Sequence, residues 1–459
     1  MASWRRTAEE SSWVVEVEKA VRSGGGTDGD PSAEEAAWWR RHSIYRVPAC
    51  IKDLNRRAYQ PQVVSLGPFH HGDPNLLPME DHKRRALLHF LRRAAPRRRP
   101  LAEFAAAVAD AAEQLVGTYQ GLADEWRRGE PEKEKREAFL EMMVTDGCFL
   151  LEVMRTAAGW EVSDYADDDP VFSAHGLLYT VPYIRRDMIM IENQLPLLVL
   201  DKLVAVESGI QQQNEDYINR LVHNFLSPTA WPPVTGVGLA LHPLDILRRS
   251  LLFGPAPSPR APAPETAPTD DIIRSAEELY EAGIRFRRSP TSSLLDIRFH
   301  RGVLSLPAIA VDDTTEYMLL NLMAFERLHA GGCGGGGGND VTAYVFFMDN
   351  MIDSPRDVAL LAARRVVHNT LGSDKAVARM FSGLSRDVVL EPRSALDGVH
   401  REVNAYCRRR WHRWRANLVH TYFRSPWSLM SLAAAVFLLV LTVMQTVYTV
   451  LPFYQGGNN

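Results

Sequence analysis

The sequence predicts a mainly α, α+β protein: a helical body carrying a small antiparallel β-sheet and ending in one transmembrane helix. Three observations predict it. Apolar residues recur at helical spacing along 79–93, 101–127 and 134–158. Between 284 and 311 the period switches from 3.6 to 2, the mark of strands. Near the C-terminus, 24 residues from Ser428 to Leu451 carry no charge.

Composition narrows the class. The 459 residues hold 52 basic and 56 acidic side chains, a net charge of −4, with 46% apolar residues. That balance is globular rather than disordered and excludes a nucleic-acid binder working through overall positive charge. Four cysteines in so long a chain exclude a disulfide scaffold.

Residues 1–42 contain SGGGTDGDPS and read as a flexible arm; charges at Glu9, Glu10, Glu16, Glu18 and Lys19 leave no signal-peptide core. A helical part spans 43–253. Within it, Pro61, Pro68, Pro74 and Pro78 keep the chain extended until a helix at 79–93, with acids in its first turn and bases in its last. Further helices follow over 101–127 and 134–158, the latter with a stripe of Phe139, Met142, Met143, Phe149, Leu150 and Val153. The apolar run 187–206 is interrupted by Glu192, Asn193, Gln194 and Pro196, so it reads as a buried core helix with Pro196 at a start or kink. Six prolines in 254–269 place a linker or surface loop at 254–271.

An α+β part occupies 272–424. Ser275 and the following acids start a helix that Gly283 ends. IRFRRS, LLDIRFH and GVLSLPAIAV alternate apolar and polar residues and predict the antiparallel sheet. Residues 314–329 return to helical spacing, and a glycine run at 331–340 separates them from later helices. A basic helix over 396–424 leads into the predicted span.

As helix, the uncharged stretch would rise about 36 Å at 1.5 Å per residue, more than the roughly 30 Å hydrocarbon core. Arg408, Arg409, Arg410, Arg413, Arg415 and Arg424 precede it without an intervening acid, and the tail at 452–459 has no charge. The positive-inside rule then predicts a tail-anchored protein with a cytosolic body, expected at the plasma membrane, with membrane lipids as partners.

Chemical motifs are sparse. The paired His70 and His71, near Asp73, would be the candidate metal ligands, but adjacent side chains rarely converge and no HxH or HExxH spacing accompanies them. No metal site or cofactor is therefore assigned. Cys50, Cys148, Cys333 and Cys407 form no CxxC pair, which disfavours zinc and dithiol chemistry. The glycine run lacks the Lys-Ser or Lys-Thr of a phosphate-cradling loop, and no GxSxG elbow occurs. Glu192, Asn193 and Gln194 read as satisfying free backbone groups beside Pro196. No catalytic constellation emerges from the residues.

The strings SIYRVP (43–48), VSLGPFHHG (64–72), MEDHKRRALLHFL (79–91), DGCFLLEVMR (146–155) and DMIMIENQLPLLVLDKL (187–203) resemble the plant family called domain of unknown function 247. SAEELYEAGIRFRRS (275–289), LLDIRFHRGVLSLPAI (294–309), NLMAFERLH (321–329) and MDNMIDSPRDVALL (348–361) continue the resemblance, which covers roughly 43–452 in order. It implies a mostly helical, membrane-associated plant protein with no established enzymatic activity or catalytic residues. Some grass members look like specificity determinants in self-incompatibility, acting through recognition.

Two functions follow as expectations. The first is a non-enzymatic membrane-anchored protein that recognises a protein or peptide partner, in signalling or self-incompatibility-type specificity. The alternative is an enzyme with an unrecognised site, for which His70, His71, His82, Glu192 and Asp146 are the candidates.

Overall fold

The computed structural model describes residues 41–53, 55–94, 99–122, 132–159, 164–209, 214–227, 236, 238–254, 274–329, 338–386, 396–408 and 426–455. The N-terminal arm, most of the proline-rich segment and the glycine run with Cys333 lie outside them.

After a short helix α1 (Ala49–Lys52) and a 3-10 turn at Arg56–Tyr59, the first half is helical. It comprises α2 (Leu77–Ala94), α3 (Leu101–Ala109), α4 (Ala112–Thr118), α5 (Glu132–Ala157), α6 (Ala174–Tyr179), α7 (Val181–Met188), α8 (Leu197–Ser208), α9 (Asn214–Leu226) and α10 (Pro243–Leu252). The stripe expected on 134–158 is the buried face of α5, which packs on α2, α3 and α8. Cys148 sits in that face, fully buried and free of any disulfide.

The run 187–206 is not one helix. α7 stops at Met188, and α8 begins at Leu197 behind Pro196, whose ring presets the backbone angle that a helix entry needs. The eight residues between them are packed inside the protein and form no helix, with a turn bond from the Asn193 N–H to the Met190 carbonyl at 2.9 Å.

The second half holds α11 (Ala276–Glu281), β1 (Arg285–Arg288), β2 (Arg298–His300), β3 (Val303–Leu306), β4 (Ile309–Val311), α12 (Thr315–Leu328), α13 (Asp340–Met351), α14 (Pro355–Ala363), β5 (Val367–Asn369), α15 (Asp374–Leu384) and α16 (Asp397–Cys407). Ser275 caps α11 by accepting from the Glu278 N–H at 3.4 Å. The expected all-antiparallel sheet is corrected. β3 pairs antiparallel with β2 but parallel with β1, and β4 forms a separate parallel pair with β5. Pro307 is the physical reason for the break: without an N–H it cannot continue the ladder, so 302–311 divides between two sheets. β2 and β3 are joined by Arg301 and Gly302, both with positive φ (47° and 79°), as a two-residue hairpin turn requires.

Two apolar cores result. One is built on α2, α3, α5, α8 and α9, the other on the sheets and α12 to α15. α10 serves both: Ile246 enters the first, while Leu244, Leu247 and Leu251 enter the second. A polar staple holds earlier parts of the chain inside the second core. Asn321 of α12 accepts from the Ile191 N–H at 2.9 Å and donates to the Ala58 carbonyl at 2.7 Å.

The C-terminal element corrects the expectation of a transmembrane helix. α17 (Pro426–Gln455) is a helix, yet among the described residues no helix is long and apolar enough to cross a membrane. Gln445 lies within α17, and Thr442, Thr446 and Thr449 each bond back to a carbonyl one turn earlier. It is no core helix either, because its described apolar side chains, such as Phe437 and Leu439, are exposed. The transmembrane assignment does not stand.

Candidate functional site

The sequence candidates separate into three places. Glu192 lies in the segment between α7 and α8, where it accepts from the Val47 N–H at 2.5 Å and from Lys52 Nζ at 2.7 Å. His70 Nε2 stands 3.6 Å from the same carboxylate, an electrostatic contact rather than a hydrogen bond. Burial pushes the Glu192 carboxyl up, but His70, Lys52 and the Val47 N–H outweigh it and hold it below its ordinary value. Asp146 pairs with Lys83 at 2.7 Å and accepts from the Gly67 N–H at 2.9 Å. His82 is elsewhere, against Arg85 at 2.8 Å, and His71 is exposed.

These groups are occupied by backbone. Asp187 accepts from the N–H groups of Gln62, Val63 and Val64, and Asn193 from that of Leu66 while donating to the Val64 and Asp187 carbonyls. Gln194 donates to the Met188 and Met190 carbonyls and accepts from the Leu244 N–H. Asp187, Asn193 and Asp146 thus clasp the extended stretch at 62–67, which pairs with no strand among the described residues, while Glu192 holds the backbone at Val47 and Gln194 links 188–190 to Leu244. This is the role read for Glu192, Asn193 and Gln194 in the sequence. Among the described residues no group of three or more His, Cys, Asp or Glu could hold a metal ion. Of the basic residues expected beside the membrane, Arg408 follows α16 and is exposed, whereas Arg409, Arg410, Arg413, Arg415 and Arg424 lie outside the described residues.

A different site is assembled at the seam between the two cores. A cleft of about 690 Å³ has a floor of Ile189, Leu226, Leu247, Ile309 and Met318. Four arginines from three segments line it: Arg185 and Arg186 from α7, Arg288 at the end of β1, and Arg365 between α14 and β5. Its volume is that of a small-ligand or side-chain pocket. None of the four arginines forms an ion pair among the described residues.

Aromatic rings, not carboxylates, hold the two inner arginines. The Arg185 guanidinium lies 4.9 Å from the Phe225 ring centroid, and Arg186 lies between the rings of Tyr183 and Tyr317 at 5.2 and 5.3 Å. Such stacking restrains the guanidinium while leaving its N–H fork to others. The Nε atoms of both are buried without a hydrogen-bond partner, although Arg186 also donates to the Gln62 side chain. Burial alone lowers the Arg185 pKa, as expected where no anion compensates the charge. Ser227 Oγ is a further buried, unpartnered polar atom on this lining.

Arg365 carries a second signature. Its φ of 59° is left-handed, at a helix C-terminus where glycine is the usual residue. Asp312, the one acidic side chain on the cleft lining among the described residues, forms no ion pair with the arginines. It accepts from the N–H and hydroxyl groups of Thr314 and Thr315, at 2.8 to 3.0 Å, at the N-terminus of α12.

Sequence reading missed this cleft. Its signal, arginine doublets at 185–186, 287–288 and 364–365, is diluted by doublets elsewhere, such as 56–57 and 92–93, that serve other contacts.

Residues 44–441 match the family DUF247, described as a plant protein of unknown function. The chain belongs to this family. A DUF247 assignment accords with the resemblance carried by the motifs that form the clasp. The chain is also similar to the UPF0481 protein At3g47200 of Arabidopsis thaliana, 31% identical over 448 residues, covering 91% of this chain and 88% of that protein. A second similarity, to the putative UPF0481 protein At3g02645 of the same plant, is 33% identical over 175 residues, 38% of this chain and 32% of that protein. No solved structure matches significantly.

Proposed function

We propose that this DUF247 protein is a non-enzymatic recognition protein that receives an acidic segment of a protein or peptide partner in the arginine-lined cleft. One observation carries the reading: four arginines converge on an apolar-floored cleft and none is ion-paired among the described residues. Arg185 and Arg186 are half-buried with unpartnered Nε atoms, and cations drawn out of water without an anion are unfavourable for folding, so their retention favours a role completed by an anion from outside. Exposed Leu178, Tyr179 and Tyr183 on α6 and α7, the last stacked on Arg186, extend the surface with residues suited to a partner's apolar side chains.

The enzyme alternative rests on His70 facing Glu192. Lys52 and the Val47 N–H already occupy that carboxylate, which leaves it a poor proton acceptor for a substrate. Recognition without turnover also suits signalling or self-incompatibility-type specificity, where discrimination is a difference between affinities.

The test is fluorescence anisotropy of the purified full chain with labelled short peptides, one alternating Glu and Leu, the other Lys and Leu. The acidic peptide should bind, and Arg186→Glu with Arg365→Glu should weaken it by at least about tenfold at an unchanged melting temperature. Equal binding of the two peptides, or no loss in the double variant, would sink the reading.

A further inference from the structure

We infer that the cleft is built for a phosphate monoester, so that the partner's segment is recognised in its phosphorylated form. This rests on the recognition reading above and specifies its ligand. The argument begins with charge. Arg185, Arg186, Arg288 and Arg365 bring four permanent positive charges to one cleft, and Asp312, the acid nearby, is engaged with the first turn of α12. A carboxylate contributes a single negative charge and two acceptor oxygens. A phosphate monoester contributes about −1.5 to −2 and three acceptor oxygens, enough for several guanidinium groups at once.

The disposition of donors points the same way. Arg185 and Arg186 each keep a buried Nε with no acceptor, and Ser227 Oγ is a third unpartnered polar atom on the wall. Their guanidinium groups are positioned by rings, so the orienting entropy is already spent before a ligand arrives. Arg365 approaches from the opposite core and is held there in a left-handed backbone conformation. Strain of this kind persists where a side chain must be aimed at a particular point. An anion seated here would also tie the helical half to the sheet-bearing half, because its ligands come from both.

Three versions of the Glu-Leu peptide test this, with the central glutamate kept or replaced by serine or phosphoserine. The phosphoserine peptide should bind about tenfold more tightly than the glutamate peptide, and inorganic phosphate should compete with it. Arg185→Gln, and separately Arg288→Gln, should reduce that preference to within about twofold while the glutamate peptide still binds. The melting temperature of each variant reports its folding. Equal affinities for phosphoserine and glutamate would overturn the phosphate assignment and leave the acidic-segment reading standing. If no peptide binds, both fall. A preference that survives both substitutions would place the phosphate elsewhere and overturn the assignment.

Discussion

Lys83 and Asp146 meet at 2.7 Å in the helical core, and neither side chain has more than 2% of its surface exposed. The pair joins α2 to α5 and, through the Gly67 N–H and Ser65 hydroxyl, fixes the extended stretch that the clasp encloses. Burial raises the Asp146 pKa, and Lys83 opposes that rise. Removing the cation alone leaves a carboxylate stranded. Lys83→Met should therefore destabilise by about 3–5 kcal/mol. Adding Asp146→Leu should recover part of the loss, because the stranded charge goes with it. Urea denaturation of the parent and the two variants decides this; a loss under about 1 kcal/mol for Lys83→Met contradicts the account.

Gly67 is a second point where the clasp tolerates no change. Its φ is +72°, and a Cβ there would lie 2.6 Å from Tyr119 Oη and 2.8 Å from the Gln194 carbonyl oxygen. Tyr119 is itself committed, donating to that same carbonyl at 3.0 Å. Gly67→Ala combines left-handed strain with a clash against backbone, and should cost on the order of 2–4 kcal/mol. Gly72, also left-handed at +80° but with open space around its Cβ position, supplies the control. There the same substitution should cost only the strain, about 1 kcal/mol. Comparable losses at the two glycines would refute the packing half of this argument.

His242 ties stability to pH. Its Nδ1 accepts from the Asp245 N–H as the cap of α10, and Nε2–H donates to the Ser43 carbonyl at 3.0 Å, so the ring is neutral. Burial lowers its pKa from 6.5 to about 4, against the attraction of Asp245. Burial brings His400 to about 4 as well. In both cases the folded value lies below the unfolded one, so the unfolded chain binds the extra proton. Stability is whole above about pH 6.5 and falls as the pH drops toward about 4, by up to roughly 1.4 kcal/mol per pH unit for each ring. His242→Asn retains a capping acceptor and removes one titrating group. Denaturation midpoints across this window should fall less steeply for the variant, and an identical slope would exclude His242 as a source.

How much of this was legible beforehand depended on whether a signal was local. The Ser275 cap and the stripe on α5 rest on neighbours within a turn or two, and the sequence carries them; Glu192, Asn193 and Gln194 were legible as satisfying backbone, but not which backbone, since Val47, Leu66 and Leu244 lie 50 or more residues away. Strand direction is different. Period-2 alternation at 285–288 and 303–306 identifies strands but says nothing about whether they run together, and β1 pairs parallel with β3. The three residues of β5 are too few to show a period, and their partner β4 is more than fifty residues away. The uncharged stretch of α17 showed its apolar character and helical form, whereas the step to a membrane span did not hold among the described residues. The cleft was the least visible feature. Arg185, Arg288 and Arg365 are far apart in the chain, and only the packing of one core on the other brings them to one opening.

Arg365 offers the clearest opposition between stability and binding. Behind the last turn of α14 its N–H donates to the Ala362 carbonyl at 2.9 Å, and the Val366 N–H closes onto Leu361 at 3.0 Å. That closure demands a positive φ, which glycine adopts without a Cβ penalty. Because the Arg365 side chain is exposed, its loss forfeits little packing. Arg365→Gly should stabilise the protein by about 1 kcal/mol while weakening the acidic and phosphorylated peptides. Arg365→Ala keeps the strain and loses the charge, so it should weaken binding equally with no gain in stability. Guanidinium denaturation beside anisotropy on the two variants separates the contributions. A glycine variant less stable than the parent would mean that the arginine is there for the fold, and the cleft would lose its strongest sign of selection for a ligand.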